Sequence, residues 1–206
     1  SQADMITDGM GEKPTIALCQ LLTDALEESH PDLAYDENGN SFITRSTFHQ
    51  VVQEQHEVPQ TVSLYRKNDI PGGIRKDDIM LHSYEECMRE PRLHADNFRH
   101  VEEESNKLRA QRLLQQTGQQ WVVVNPPFPP LTQEELDHSF DLPYTRLPHP
   151  KYKGKRIPAY EMIKFSVCMH RGCFGGCAFC TISAHQGKFI MSRSKESILK
   201  EVEAIT

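Results

Sequence analysis

The feature that most constrains this chain is a group of cysteines near its C-terminal end. Four of the six cysteines fall within thirteen residues: Cys168, Cys173, Cys177 and Cys180. The first residues carry neither the basic region nor the apolar block of a secretory signal. We therefore expect a cytoplasmic protein with reduced thiols, in which clustered cysteines usually bind metal or take part in redox chemistry.

The last three of these cysteines have the spacing Cys-x-x-x-Cys-x-x-Cys, and we call residues 172–180 the cysteine loop. A structural zinc site needs four ligands, and a fourth ligand here would have to be Cys168, His170 or His185. Thiolates are also the ordinary ligands of iron–sulfur clusters, and three of them leave one iron open for another molecule. The spacing alone leaves two alternatives open, an iron–sulfur centre and a zinc-stabilised interaction module.

The segment before the cysteine loop predicts a strand. Residues 162–168 alternate between apolar side chains (Ile163, Phe165 and Val167) and more polar ones, which is the period of a strand. On that strand we expect Cys168 to be a small buried thiol rather than a ligand. After the loop, Ser194 begins a helical pattern that still recurs at the last residue, so we expect the chain to be part of a longer one.

The remaining sequence predicts a mixed α/β architecture. Hydrophobic periodicity, proline positions and capping signals indicate its elements. They are a strand–loop–helix unit over residues 3–26, short strands at 42–44, 51–52, 61–64 and 121–124, helices at 83–89 and 93–116, and a short helix to Phe140 that opens with the capping box of Thr132 and Glu135.

Charge is distributed unevenly along the chain, whose net charge is −6. Residues 144–200 contain eleven lysines and arginines against two acidic residues, Glu161 and Glu196. Such a basic segment can attract nucleic acid or an anionic cofactor. It can equally be a solvated face that pairs with acidic residues of the same protein. No apolar run approaches the roughly 20 residues that span a bilayer, so we expect no membrane association.

Further motifs surround the cysteine loop, from about residue 121 to residue 203. They are Asn125-Pro126-Pro127, Phe140-Asp141-Leu142-Pro143-Tyr144, Pro148-His149-Pro150, Ile157-Pro158-Ala159-Tyr160, Arg171-Gly172-Cys173-Phe174-Gly175-Gly176-Cys177 and Ser192-Arg193-Ser194. The cysteine spacing, with an aromatic residue before the last cysteine, is similar to the cluster motif of radical S-adenosylmethionine (SAM) enzymes. Together, the motifs resemble those of the YgiQ-like radical SAM proteins.

The resemblance implies a cofactor set and its ligands. Cys173, Cys177 and Cys180 would hold a 4Fe–4S cluster, and the open iron would take SAM. Phe179 would lie near the adenine of SAM. A flavodoxin-like or ferredoxin-like electron donor would be expected, and RNA stays in view as a substrate class because some radical SAM enzymes modify tRNA. No acid–base catalytic residue is assigned in this chain.

The resemblance also implies a fold class and a domain order. It implies an α/β fragment that ends with the first β/α unit of a truncated radical SAM partial TIM barrel. A full barrel needs about 250 residues, so this chain is expected to be inactive alone, with residues 171–187 mobile when no cluster is bound. The expected parts are the end of an N-terminal α/β domain (1–30), short strands and a helical spacer (31–120), a proline-rich connector (121–160) and the start of the radical SAM core (161–206).

Overall fold

The computed structural model describes residues 3, 5–7, 9–28, 31, 33–54 and 58–205. The chain folds into two compact units. The first unit contains residues 1–129 together with 184–187, and the second contains residues 130–183 together with 188–206.

The first unit alternates strands and helices. Its elements are β1 (Met5–Thr7), α1 (Glu12–Glu27), β2 (Ala34–Tyr35), β3 (Ser41–Phe42), α2 (Arg45–Glu54), β4 (Thr61–Arg66), a 3-10 turn (Lys67–Asp69), β5 (Ile79–Leu81), α3 (Tyr84–Arg89), α4 (Pro91–Ser105), β6 (Leu113–Thr117) and β7 (Gln120–Val124).

A five-stranded mixed sheet forms the centre of the first unit, in the order β1-β4-β7-β6-β5. Only β5 and β6 are parallel, whereas the other neighbours run antiparallel. Its buried core contains Leu114, Val123 and Ile70, with Tyr65 and Trp121 packed against them. The mixed α/β fold class predicted from the sequence is therefore confirmed.

A buried ion pair lies beside the turn that precedes β5. The Arg112 guanidinium donates to both carboxylate oxygens of Asp78, at 2.9 and 2.7 Å, and to the backbone oxygens of Pro71 and Gly73. Only 2–3% of either charged side chain is exposed. Burial alone would raise the pKa of Asp78, but hydrogen bonds from Arg112 and from the Arg75 N–H outweigh it and hold that pKa below its ordinary value.

The part of the chain that follows β7 has shorter regular elements. The elements that follow β7 are α5 (Gln133–Phe140), a 3-10 turn (Pro150–Tyr152), α6 (Pro158–Ile163), β8 (His170–Arg171), α7 (Ile182–Gln186), β9 (Met191–Ser192) and α8 (Lys195–Ile205).

Most predicted elements are present, but two in the first unit differ. The predicted strand at 51–52 lies instead inside α2, where Thr44 Oγ1 accepts from the Thr47 N–H and so satisfies a free donor of the first turn. The helix predicted over 93–116 ends at Ser105. Leu113 and Leu114 pair instead with β7 and bury their side chains in the sheet.

The strand predicted over residues 162–168 is wrong. Pro158 occupies the first turn of α6, which runs to Ile163, and the Ser166 N–H then donates to the Ile163 carbonyl at 2.8 Å. A strand needs a neighbouring strand that pairs with its backbone N–H and C=O groups. The alternation of side chains predicts a strand but does not supply that neighbour. Cys168 is exposed rather than buried, and its thiol lies 3.2 Å from the His170 carbonyl oxygen.

The barrel assignment and the predicted domain boundaries at residues 30, 120 and 160 stay predictions. Within the described ranges, no helix combines the length and the apolar character that crossing a membrane requires.

Candidate functional site

The cysteine loop begins at the end of a short antiparallel ribbon in the second unit. His170 and Arg171 of β8 pair with Ser192 and Met191 of β9. Gly172 follows with a φ of 83°, a left-handed conformation that favours glycine because it has no Cβ. The chain can therefore turn sharply from the ribbon into the segment that carries the cysteines.

Gly175 separates two of the three cysteine sulfurs of the loop. A Cβ atom placed on Gly175 would lie 3.3 Å from Cys173 Sγ and 3.8 Å from Cys177 Sγ. Both sulfurs thus border the space that a side chain at position 175 would fill. Position 176 differs, because a Cβ atom there would meet no atom within 4 Å.

The third cysteine is tied to the second through the backbone. The Cys180 N–H donates to the Cys177 carbonyl oxygen at 3.0 Å, which closes a tight turn. All three thiols are free; Cys177 is exposed, whereas Cys173 and Cys180 are half-buried. Reduced, accessible thiols in a glycine-containing loop fit a thiolate-bound metal centre.

The structure does not bring the three sulfurs to a single point. Among the described residues, no three His, Cys, Asp or Glu side chains are close enough together to hold one metal ion. This holds equally for the zinc alternative, whose candidate fourth ligands were Cys168, His170 and His185. The structure therefore places Cys173 Sγ and Cys177 Sγ next to Gly175, and the three-cysteine ligand set stays a prediction.

The aromatic residues of the cysteine loop point into solvent. Phe174 is 80% exposed and Phe179 is 90% exposed. Both rings are therefore accessible to another molecule. The predicted contact between Phe179 and the adenine of SAM stays a prediction, and the ring is accessible for it.

Arg193 is the residue that fixes the backbone in front of the cysteine loop. Its fully buried guanidinium donates to the Cys168 carbonyl at 2.9 Å, and its own N–H donates to the Met169 carbonyl at 3.0 Å. It also bonds to Ser197 and forms an ion pair with Glu201, both on α8. Helix α8 thus holds the segment that leads into the cysteines.

Glu201 joins a second arginine to this network. Its carboxylate accepts from Arg146 Nη1 at 2.7 Å and from Arg193 on its other oxygen. Arg146 has a φ of 55°, a conformation that is uncommon outside glycine and persists where contacts hold it. The Tyr160 hydroxyl donates to the Arg146 carbonyl at 3.3 Å and secures the same position.

Helix α5 supports the network from the other side. The Arg193 guanidinium lies 4.2 Å above the ring of Phe140, and the Arg171 guanidinium lies 5.4 Å from the same ring. Asp141 accepts from the Ser197 hydroxyl at 2.9 Å and from Lys200 at 2.8 Å. The pKa of the Asp141 carboxyl is lowered mainly by the hydrogen bond from Lys200 and secondly by the hydrogen bond from Ser197.

No local pattern in the sequence indicates the roles of Arg146, Arg193 and Glu201. Arg193 stood among the resembling motifs, but no local pattern marked it as buried. Only the pairing of β8 with β9 and the packing of α8 bring these three residues together. A buried arginine with several acceptors is a long-range feature that spacing cannot reveal.

Known proteins with similar sequences place the chain in a family. A family model described as radical SAM N-terminal matches residues 1–166, so the cysteine loop lies beyond the matched region. A UPF0313 protein of Bacteroides thetaiotaomicron is 54% identical over 205 residues, which cover 100% of this chain and 31% of the relative. The UPF0313 protein YgiQ of Escherichia coli K12 is 49% identical over 135 residues, covering 66% of this chain and 18% of the relative.

A UPF0313 protein of Porphyromonas gingivalis is 48% identical over 206 residues, which cover 28% of that relative. No solved structure matches the chain. The chain thus spans less than a third of the length of these curated relatives. It belongs to the radical SAM N-terminal family, and the resemblance to YgiQ-like proteins drawn from its motifs is confirmed by its UPF0313 relatives.

Proposed function

We propose that the full-length protein is a radical SAM enzyme and that this chain carries its cluster-binding loop. Cys173, Cys177 and Cys180 would hold a 4Fe–4S cluster. The observation that carries the proposal is the three-cysteine spacing, which follows directly after the region that matches the radical SAM N-terminal family. Once reduced, such a cluster would supply the one electron with which SAM is cleaved into methionine and a 5′-deoxyadenosyl radical.

The residues around the loop would prepare it for this cluster. The absence of a side chain at Gly175 keeps space between Cys173 Sγ and Cys177 Sγ. The left-handed conformation of Gly172 starts the loop at the end of the β8–β9 ribbon. Arg193 donates to the backbone oxygens of residues 168 and 169 and so would fix the segment that leads into the loop.

Two further groups would complete the site. Phe179, with its exposed ring beside Cys180, would contact the adenine of SAM. The one-electron reductant would be a flavodoxin-like or ferredoxin-like protein. We place the enzyme in the cytoplasm, where its six free cysteines would stay reduced. The substrate is not assigned, and the basic segment makes RNA the alternative substrate class.

Anaerobic reconstitution of the full-length protein tests this proposal. We expect iron and sulfide to be retained in a ratio of one to one, and 5′-deoxyadenosine to appear when SAM and a reductant are added. Cys173→Ala, Cys177→Ala and Cys180→Ala should each abolish both results. Cys168→Ala is the matched control, because the thiol of this exposed neighbour bonds to a backbone oxygen two residues away.

Zinc analysis of the same preparations covers the alternative of an interaction module. That module predicts one tightly bound zinc per chain and no iron retained after reconstitution, with Cys168→Ala or a histidine variant also losing zinc. Iron retention that is indifferent to the three loop cysteines would overturn the proposed ligand set.

A further inference from the structure

Eight of the eleven cations of the basic segment fall into two groups that the structure separates. Some are paired with carboxylates: Arg146 and Arg193 with Glu201, Lys164 with Glu161, and Lys200 with Asp141. These cations serve the internal framework of the second unit. The alternative that basic residues pair with acidic residues of the same protein is correct for this group.

The second group lies together in one exposed loop. Lys151, Lys153, Lys155 and Arg156 are all exposed, and none of them has a carboxylate within 4.0 Å among the described residues. Four like charges within six residues repel one another, and this repulsion favours the binding of anions. We call residues 149–156 the basic loop.

The backbone of the basic loop is folded rather than extended. Successive turn bonds run from the Tyr152 N–H to the His149 carbonyl, from Lys153 to Pro150, and from Lys155 to Tyr152, at 2.9 to 3.0 Å. The His149 ring nitrogen also accepts from the Lys151 N–H at 3.2 Å. Because the turns are already formed, the loop loses less conformational entropy when it binds a ligand.

An aromatic ring stands among these cations. Tyr152 is 40% exposed, and Lys151 Nζ lies 4.9 Å from the centre of its ring. Proteins that bind single-stranded nucleic acid combine cations that contact the phosphates with aromatic rings on which bases stack. An acidic protein would use the cations but would gain little from a ring set between them.

We propose that the basic loop binds single-stranded nucleic acid, with its four cations on the phosphates and Tyr152 stacked on a base. This site goes beyond the radical SAM chemistry and contains none of the cysteines. Binding should therefore persist in Cys173→Ala, so a failure of the cluster proposal and a failure of this one can be told apart.

The test measures binding of the full-length protein to fluorescent single-stranded RNA and DNA of the same sequence by anisotropy. Four phosphate contacts predict a slope of about −2.8 for the logarithm of the binding constant against the logarithm of the salt concentration. That slope corresponds to about a fiftyfold loss of affinity between 50 and 200 mM salt. Tighter binding of RNA would indicate contact with the 2′-hydroxyl, whereas equal binding would indicate recognition of the phosphates and bases alone, and both support the site.

Two sets of variants identify the residues responsible. The combined variant with glutamine at 151, 153, 155 and 156 should lose nearly all of the salt-dependent affinity. Tyr152→Ala should weaken binding by about 5- to 150-fold, whereas Tyr152→Phe should retain it because the ring remains. The matched control carries the same loss of charge on exposed cations of the first unit: Lys67→Gln, Lys76→Gln, Arg92→Gln and Arg109→Gln.

Three results would overturn the proposal. They are an equal loss of affinity in the control variant, a salt slope unchanged in the glutamine variant, and competition by polyglutamate as strong as competition by unlabelled nucleic acid. The last result would assign the basic loop to an acidic protein partner instead.

Discussion

Arg193 and Glu201 form an ion pair in which the arginine side chain is fully buried and the glutamate side chain is 8% exposed. Glu201 lies on α8, and Arg193 donates to the backbone oxygens of the two residues Cys168 and Met169, which precede the cysteine loop. A buried charge must be paired, because an unpaired one costs several kcal/mol. This pair therefore links the stability of the second unit to the position of its cysteines.

Glu201→Gln should destabilise the second unit strongly. The substitution keeps the size of the side chain but leaves the charge of buried Arg193 without its counter-charge, and it weakens the contact to Arg146 as well. The expected loss is about 3–5 kcal/mol. Hydrogen exchange of the full-length protein should show the lost protection in peptides from α8 and β8.

Glu196→Gln provides the control for that measurement. Glu196 lies exposed in the first turn of the same helix, where its favourable interaction with the helix dipole is worth only about 0.3–1 kcal/mol. Equal losses of protection in the two variants would mean that the ion pair has no special part in holding the loop.

Gly175→Ala should weaken cluster retention without removing a ligand. The new methyl group would lie 3.3 Å from Cys173 Sγ, closer than sulfur and carbon normally approach, so the sulfur must move. We expect iron to be retained about tenfold less firmly, the size of effect that residues supporting a metal ligand usually have. The measurement is iron release to a chelator after reconstitution.

Gly176→Ala is the matched control for this change, because its methyl group would meet no atom within 4 Å. It should retain iron as the unaltered protein does. Loss of iron in the Gly176 variant alone would show that the loop adopts a different conformation around the cluster.

Local signals in the sequence predicted the structure well. The capping box of Thr132 and Glu135 opens α5 as expected, with the reciprocal bonds at 2.8 and 3.2 Å. Ser83 likewise begins α3 with a capping box. The cysteine spacing is equally local, but the described residues do not bring its three sulfurs together, and the ligand set stays a prediction. Such features depend on neighbours only three or four residues away.

Long-range features could not be predicted. The ion pair of Arg112 and Asp78 joins residues 34 positions apart, and the parallel pairing of β5 with β6 depends on two intervening helices. The wrong strand prediction at residues 162–168 has the same origin. An alternating pattern shows which side chains would share one face of a strand, but it does not show whether a partner strand is present. The pairing of Arg146 and Arg193 with Glu201, and of Lys200 with Asp141, also required the tertiary structure.

Thr132→Ala should cost about 1 kcal/mol of helix stability, because the Glu135 N–H at the start of α5 loses its acceptor. Thr132→Ser keeps the hydroxyl and should restore most of that loss. Fraying of the helix should also speed hydrogen exchange at its first amides. The same helix carries Phe140 beneath Arg193. Identical exchange in the alanine and serine variants would mean that the cap contributes nothing.

Asp78→Asn should destabilise the chain in a manner that depends on pH. The pKa of Asp78 is lower in the folded protein than its unfolded value of about 3.9, because hydrogen bonds from Arg112 and from the Arg75 N–H outweigh the opposing effect of burial. The stability from this carboxylate is therefore fully present above about pH 5 and is lost as the pH falls through the folded pKa.

Denaturant titrations should show a loss of about 3–5 kcal/mol at pH 7, with the variant and the unaltered chain converging as the pH is lowered toward the folded pKa. Asp77→Asn, an exposed neighbour, should change stability little at any pH; a difference between Asp78→Asn and the unaltered chain that stays constant from pH 7 to pH 3 would contradict the assignment of a depressed pKa to Asp78.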